Sequence, residues 1–296
     1  MVRAGIIGLG NMGGRMVKRL LEGGAEVGIY DVNQEAIEAM VKLGAEKAES
    51  PADLARKFQY IITVLPNVYI VQETLQGNNG LMDGMNGESL LIEMTTSIPS
   101  VTKELSAAMK AKGLRMIDAP VSGGVKKAEN GTLSIMVGGE ESDYKEALPL
   151  LEMLGENINH VGAAGAGHTI KALNNMISAT TLAATGEAMA LGVKLGLDPA
   201  KMLDVINTST GKSFSSDFKF PNQVLTRNFE VGFTLDLMVK DLKIAMSMAE
   251  QESVPMFISG ASFQLWKKAW TEGRGSEDHT AIIKSIEEMF NVEIKG

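Results

Sequence analysis

The chain has 296 residues, 45% of them hydrophobic, which is enough for a sizeable core and more naturally two domains than one. Its 28 basic against 36 acidic side chains give a formal charge of -8, which argues against nucleic acid or an anionic membrane as the main partner. Cysteine is absent, which excludes disulfides, thiol nucleophiles and cysteine metal sites; a cytoplasmic location is expected, with no stretch that reads as a membrane span or a cleavable signal.

In chain order, short apolar runs predict strands over 2–7, 26–30, 60–64, 90–94, 115–118 and 133–137. Amphipathic stretches between them predict helices that begin near Met12, Gln34, Ala52, Ile70 and Val101. Such alternation is the pattern of a parallel α/β sheet. Beyond Gly167 the strand pattern ends, and helices are expected over 167–195, 199–208, 235–250, 256–272 and 280–289. The fold expected is a Rossmann-type doubly wound α/β domain over 1–163 and an all-α domain over 164–296 for substrate and oligomerisation, joined by a long helix starting near 167. That helix is apolar nearly all round, so it is expected to be buried between domains, within the helical domain or in a subunit interface. The 19 methionines scatter through the helical patterns and read as core filler.

Gly8-Leu9-Gly10-Asn11-Met12-Gly13 follows the first strand and opens a helix, so its amides and the helix N-terminus aim at a pyrophosphate. The second strand ends at Asp31, where an acid accepts from ribose hydroxyls and repels an added 2′-phosphate. Read alone, Asp31 also suits a turn. No arginine follows it, and NAD is therefore favoured over NADP. Leu65-Pro66-Asn67 and Thr95-Thr96 stand at strand carboxyl ends, where a dinucleotide or plain loop chemistry would place them equally well. The loop Asp118-Ala-Pro-Val-Ser122-Gly123-Gly124 offers a hydroxyl and two amides for a carboxylate, or is a tight structural turn.

Lys171 is the single charged side chain between Val161 and Gly186. Burial of an ammonium disfavours its charge, which makes Lys171 the first candidate for a general acid/base; the alternative is a stem along the core with its head in water. Asn174 and Asn175 lie one turn further along the same face and are placed to hold a substrate oxygen. The histidines at 160, 168 and 279 lack ligand spacing with carboxylates, and no metal site is expected. His168 reads as a polar residue near a helix start.

These segments, with Gly131-Thr-Leu, Gly165-x-Gly167-x-x-x-Lys171-x-x-x-Asn175 and Lys240-Asp241-Leu242, resemble the β-hydroxyacid dehydrogenases, the family of 3-hydroxyisobutyrate dehydrogenase and tartronate semialdehyde reductase. The resemblance spans nearly the whole chain. It implies NAD-dependent interconversion of a small 3-hydroxy acid and its semialdehyde, catalysed by Lys171 in a homodimer or homotetramer. It also implies a substrate carboxylate cradled by Ser122, Gly123 and Gly124, and a substrate placed by Asn175. Leu65, Pro66, Ile70 and Thr96 fall on its cofactor-contact positions. Lys240 matches a lysine that closes over nicotinamide and substrate; without that match it reads as a surface residue paired with Asp236.

Competing readings are a 6-phosphogluconate dehydrogenase-like decarboxylase, disfavoured because Asn174 stands where that family has histidine, an imine reductase, which generally lacks the lysine, and a non-catalytic NAD(H) sensor. The segment 208–216 is expected to approach the site, with Lys212 either adding charge for a second anionic group or sitting in solvent.

Overall fold

A computed structural model describes residues 2–296. Residues up to Lys171 form one compact unit and Ala172–Gly296 a second. In the first, β1 (Arg3–Ile7), β2 (Glu26–Tyr30), β3 (Glu46–Lys47), β4 (Tyr60–Thr63), β5 (Leu90–Glu93) and β6 (Arg115–Asp118) pair in parallel in the order β3-β2-β1-β4-β5-β6. Helices α1 (Gly13–Glu22), α2 (Gln34–Val41), α3 (Pro51–Lys57), α4 (Val68–Gln76), α5 (Leu81–Gly84) and α6 (Pro99–Ala111) connect these strands. The order reverses between β1 and β4, the switch point at which doubly wound sheets bind nucleotides beyond the strand carboxyl ends.

Covering helices explain why the strands read as continuous apolar runs. Ile6, Ile29, Ile62, Ile92 and Ile117 pack with Met16 and Leu20 of α1 in one core layer. Their neighbours Ile7, Ile61, Leu91 and Met116 pack with Leu54, Leu75 and Leu105 in the other, as strand alternation requires.

β7 (Val121–Ser122), α7 (Gly124–Asn130), β8 (Leu133–Gly138), α8 (Glu141–Leu151) and β9 (Gly155–Gly162) follow. The sheet continues through β8, the strand expected over 133–137, and through two strands, β7 and β9, that the apolar pattern does not announce. β8 runs antiparallel to both β6 and β7, and β9 lies parallel on β8. The segment 119–124 is thus not simply a loop: Val121 and Ser122 pair with Ile135 and Ser134, and Gly124 starts α7.

The second unit holds most of α9 (Ala166–Lys194), then α10 (Pro199–Asn207), a π-helix (Ser215–Val224), α11 (Leu235–Gln251), α12 (Phe257–Ala269) and α13 (Ile282–Phe290). The helix expected over 256–272 ends as an α-helix at Ala269 and passes into a π turn, Trp270–Arg274, in which Gly273 leaves helical geometry. Trp266 is fully buried and its indole Nε1 donates to Ala179 O at 3.3 Å.

Among the described residues, α9 is the one helix long and apolar enough to cross a membrane by length and composition. Its Ala179, Leu182 and Met189 lie in the core, while Ile177 is 62% and Leu191 52% exposed. Burial all round, the expectation from its composition, is therefore not reached within one chain.

Candidate active site

The dinucleotide segment is fixed by close backbone packing. Gly8 has φ +98, and a Cβ there would lie 2.2 Å from Val64 O; one on Gly13 would lie 1.8 Å from Gly8 O. Any side chain at either position would open the turn. Gly10, by contrast, is exposed, and a Cβ there would meet nothing within 4 Å. Open space above this turn, with no capping side chain and no acid in the first turn of α1, fits the pyrophosphate of a dinucleotide.

Asp31 closes the turn from the end of β2. Its Oδ2 accepts from Leu9 N at 2.6 Å and its Oδ1 from Asn33 N at 2.7 Å, which leaves each oxygen a further lone pair for a ribose hydroxyl. Beyond β4, Leu65 N donates to Thr95 Oγ1 at 2.9 Å, and Asn67 caps α4 through Tyr69 N and Ile70 N. The chain around Leu65, Pro66, Ile70 and Thr96 is thereby held at the carboxyl ends of β4 and β5.

Behind these ends lies a buried polar cluster that the sequence reading did not foresee. Glu93, 1% exposed, accepts from Thr95 N at 2.7 Å and from Thr63 Oγ1 at 3.3 Å. Burial pushes its carboxyl up to about 8, against those hydrogen bonds, which favour the charged form. His168 Nε2 donates to Thr95 O at 2.7 Å, since a carbonyl only accepts, and stands 3.3 Å from Glu93 Oε2. His168 Nδ1 shares a hydrogen bond with Thr102 Oγ1 at 2.9 Å. Asp118, at the last position of β6, accepts from Gly165 N at 2.7 Å and from His168 N at 2.9 Å. The start of α9 is thus fastened twice, by its main chain to β6 and by the His168 ring to the end of β5. A carboxylate closing an apolar strand, as Glu93 and Asp118 do, is the signal from which this cluster was legible.

Lys171 follows on the next turn of α9 and is 7% exposed. The strand that caps its helix is also the one that leads into Ser122, Gly123 and Gly124. Gly123 has φ +129, outside the range of ordinary side chains, and is exposed.

Of the two asparagines, Asn174 is exposed and Asn175 buried. Asn174 Nδ2 donates to Asn175 Oδ1 at 3.2 Å, and Asn175 Nδ2 donates to Asp241 Oδ2 at 2.7 Å. One Asn175 N–H and one lone pair of its carbonyl oxygen remain after these two contacts. Asp241 thereby orients Asn175, a role hidden within Lys240-Asp241-Leu242 until the contact is seen. Lys240 Nζ lies 3.7 Å from Asp241 Oδ1 rather than on Asp236, whose Oδ1 accepts from Trp270 Nε1 at 2.6 Å. Lys212 pairs with Asp217 at 3.2 Å, with both side chains about half exposed.

Two family models cover the chain. One, described as the NAD-binding domain of 6-phosphogluconate dehydrogenase, matches residues 3–162. The other, described as NAD-binding of NADP-dependent 3-hydroxyisobutyrate dehydrogenase, matches residues 165–286. The chain belongs to the β-hydroxyacid dehydrogenase family. This enzyme is a nicotinamide-dependent oxidoreductase acting on the CH–OH group of a hydroxy acid, with NAD as its cofactor. It is 35% identical over 295 residues to 2-(hydroxymethyl)glutarate dehydrogenase of Eubacterium barkeri, covering 100% of this chain and 98% of the relative. It is 37% identical over 290 residues to human mitochondrial 3-hydroxyisobutyrate dehydrogenase, covering 96% of this chain and 86% of the relative. Among solved structures, Mycobacterium tuberculosis 3-hydroxyisobutyrate dehydrogenase with L-serine superposes with a TM-score of 0.90 at 30% identity, covering 97% of this chain and 99% of that one.

Proposed function

We propose that the enzyme interconverts a small 3-hydroxy acid and its semialdehyde with Lys171 as general acid/base. One observation carries this reading: the Asp118 carboxylate holds Gly165 N and His168 N, so the strand that leads into Ser122-Gly123-Gly124 also anchors the helix turn that presents Lys171. Ser122 and the amides of Gly123 and Gly124 hold the substrate carboxylate, and Asn175 directs an N–H at the carbinol oxygen. Gly8 to Gly13, Asp31, Leu65, Pro66, Ile70, Thr96 and Lys240 hold the dinucleotide, which when bound supplies the hydride acceptor or donor. In oxidation, neutral Lys171 takes the hydroxyl proton as the carbon gives up its hydride. In reduction, the Lys171 ammonium returns that proton to the nascent alkoxide.

The division of labour follows the chain: 1–163 is the NAD-binding domain, and 164–296 is the helical domain for substrate and oligomerisation. The test compares 3-hydroxyisobutyrate with a non-acidic diol of similar size. Loss of the charge-assisted hydrogen bonds that orient the carbinol lowers kcat/KM for the diol by roughly 100-fold or more. Equal values would show that 119–124 is a structural turn only.

The exposed Ile177 and Leu191 on α9 support self-association as a homodimer or homotetramer. Light scattering is expected to give a multiple of the 31.6 kDa chain mass at micromolar concentration, and a stable monomer would contradict it. The cysteine-free composition supports a cytoplasmic location, which recovery of the enzyme in a membrane or secreted fraction would overturn.

A further inference from the structure

Lys219 is a buried cation of the second unit, and the mechanism above does not use it. It is 7% exposed, on the inward face of the π-helix with Ser215, Ser216, Phe220 and Val224. The wide turn of a π-helix is what brings this lysine inward beside Phe220, and such turns recur at functional positions. Its Nζ donates to Ser178 Oγ at 3.0 Å and stands 5.9 Å from the centre of the Phe214 ring. Among the described residues no carboxylate lies within ion-pair distance of it.

Asp278, whose field favours the ammonium, has its own oxygens engaged. Gly232 N and Phe233 N donate to Oδ2, and Thr280 N and Thr280 Oγ1 to Oδ1. Burial pushes the Lys219 ammonium down to about 8. A buried cation held by a single hydroxyl is an unfavourable arrangement unless an anion completes it.

Position identifies that anion. Ser178 lies on the face of α9 that carries Lys171 and Asn175, a spacing that recurs on one side of a helix. It stands one turn past Asn175, about 4.5 Å along the axis. Two methylene groups beyond the carbon that bears the hydroxymethyl group span a similar distance, roughly 4 to 5 Å. More hydroxyl groups gather here: Thr181 Oγ1 lies 3.4 Å from Ser215 Oγ. Lys212, the residue that sequence alone offered for a second anionic group, is instead committed to Asp217.

We propose that Lys219 and Ser178 form a subsite for a second carboxylate, so that the preferred substrate is a dicarboxylic 3-hydroxy acid. This rests on the reading of Lys171 and Asn175 as the groups that face the carbinol. Lys219 acts in specificity, not in proton transfer.

The test measures initial rates with NAD on 2-(hydroxymethyl)glutarate and on 3-hydroxyisobutyrate, using the full chain. The unmodified enzyme should favour the dicarboxylate in kcat/KM by at least about tenfold, the scale of one charge-assisted hydrogen bond. Lys219→Met should lower the ratio of the two kcat/KM values by roughly 10- to 100-fold, chiefly through KM for the dicarboxylate, and Lys219→Arg should keep part of it. A folded Lys219→Met enzyme whose ratio moves less than twofold overturns the subsite, as does an unmodified enzyme that prefers the monocarboxylate. Inhibition of the unmodified enzyme needs no variant: glutarate should compete at least about tenfold more strongly than butyrate, and equal inhibition would also overturn the proposal. Turnover of neither acid would refute the hydroxy-acid reading itself, and with it this subsite.

Discussion

Replacing Lys171 with alanine is expected to lower kcat by roughly 10²- to 10⁴-fold, the scale of a positioned acid/base, while NADH affinity changes by less than about threefold. The residue is 7% exposed on a turn whose two fastenings, Asp118 to the main chain and His168 to Thr95 O, do not involve its side chain. The turn should therefore survive the substitution. Lys171→Met, which keeps the volume, separates loss of the amine from loss of packing. Single-turnover rates together with a fluorescence titration of NADH make the measurement. Direction adds a second readout. One amine serves both directions, so oxidation of the hydroxy acid and reduction of the semialdehyde should fall together in the methionine variant. Retained wild-type turnover would remove the assigned role.

The Lys219 ammonium carries a linked expectation for stability. Its folded-state value of about 8 lies below the ordinary 10.5, so between those values the unfolded chain binds more protons. Stability contributed by this position is therefore lowest when the group is charged in both states, and rises as pH climbs from about 8 towards 10.5. Relief of this penalty in Lys219→Met should raise Tm relative to the unmodified enzyme near neutrality, with the gap closing at alkaline pH. A dicarboxylate bound at the subsite would act in the same sense by supplying the missing counter-charge.

The parts of the fold that sequence made legible are those governed by local pattern. The parallel strands are buried on both faces and read as apolar runs, and the helices after Gly167 carry long uninterrupted periodicity. β9 was invisible because Gly155–Gly162 reads Gly-Glu-Asn-Ile-Asn-His-Val-Gly and buries only its first residue: sheet pairing to β8, not hydrophobicity, makes it a strand. α8 was hidden by Pro149 inside its last turn, and β7 is too short for any alternation to show. The π-helix was concealed similarly, since Asp-Phe-Lys-Phe-Pro resembles a loop between helices and only the wider turn places Lys219 inside.

The same distinction holds within the site. Lys171 was conspicuous because its isolation among apolar residues is a local property. Glu93, Asp118 and Asp241 act through partners distant in sequence, His168 and Gly165 for the first two and Asn175 for the third. Nothing local says which group each one holds; only the folded contacts do.

The second large effect concerns cofactor choice at Asp31. The unmodified enzyme should prefer NAD(H), and a variant that removes the Asp31 charge and places arginine at position 32 should shift the kcat/KM ratio towards NADP(H) by roughly 10²- to 10³-fold. That scale combines relief of repulsion between carboxylate and 2′-phosphate with gain of a charge-assisted hydrogen bond. Val32 is 94% exposed, so arginine there displaces no packing. The choice at position 31 decides whether the shift can be read cleanly. Asp31 Oδ2 is the acceptor for Leu9 N, which lies inside the glycine turn. Serine is too short to replace that oxygen, and the orphaned amide costs about 1–3 kcal/mol of stability in the element that binds the pyrophosphate. Asparagine keeps a carbonyl oxygen for Leu9 N and gives up the charge together with the second acceptor, Oδ1, whose donor Asn33 N lies in an exposed turn where water can replace it. Asp31→Asn with Val32→Arg should therefore keep the Tm of the unmodified enzyme within a few degrees, whereas Asp31→Ser with Val32→Arg should melt lower and bind both cofactors more weakly. Steady-state kinetics with each cofactor, paired with melting curves, separate the two effects. Equal kcat/KM for NAD and NADP in the unmodified enzyme would show that Asp31 serves the turn alone and takes no part in selecting the ribose.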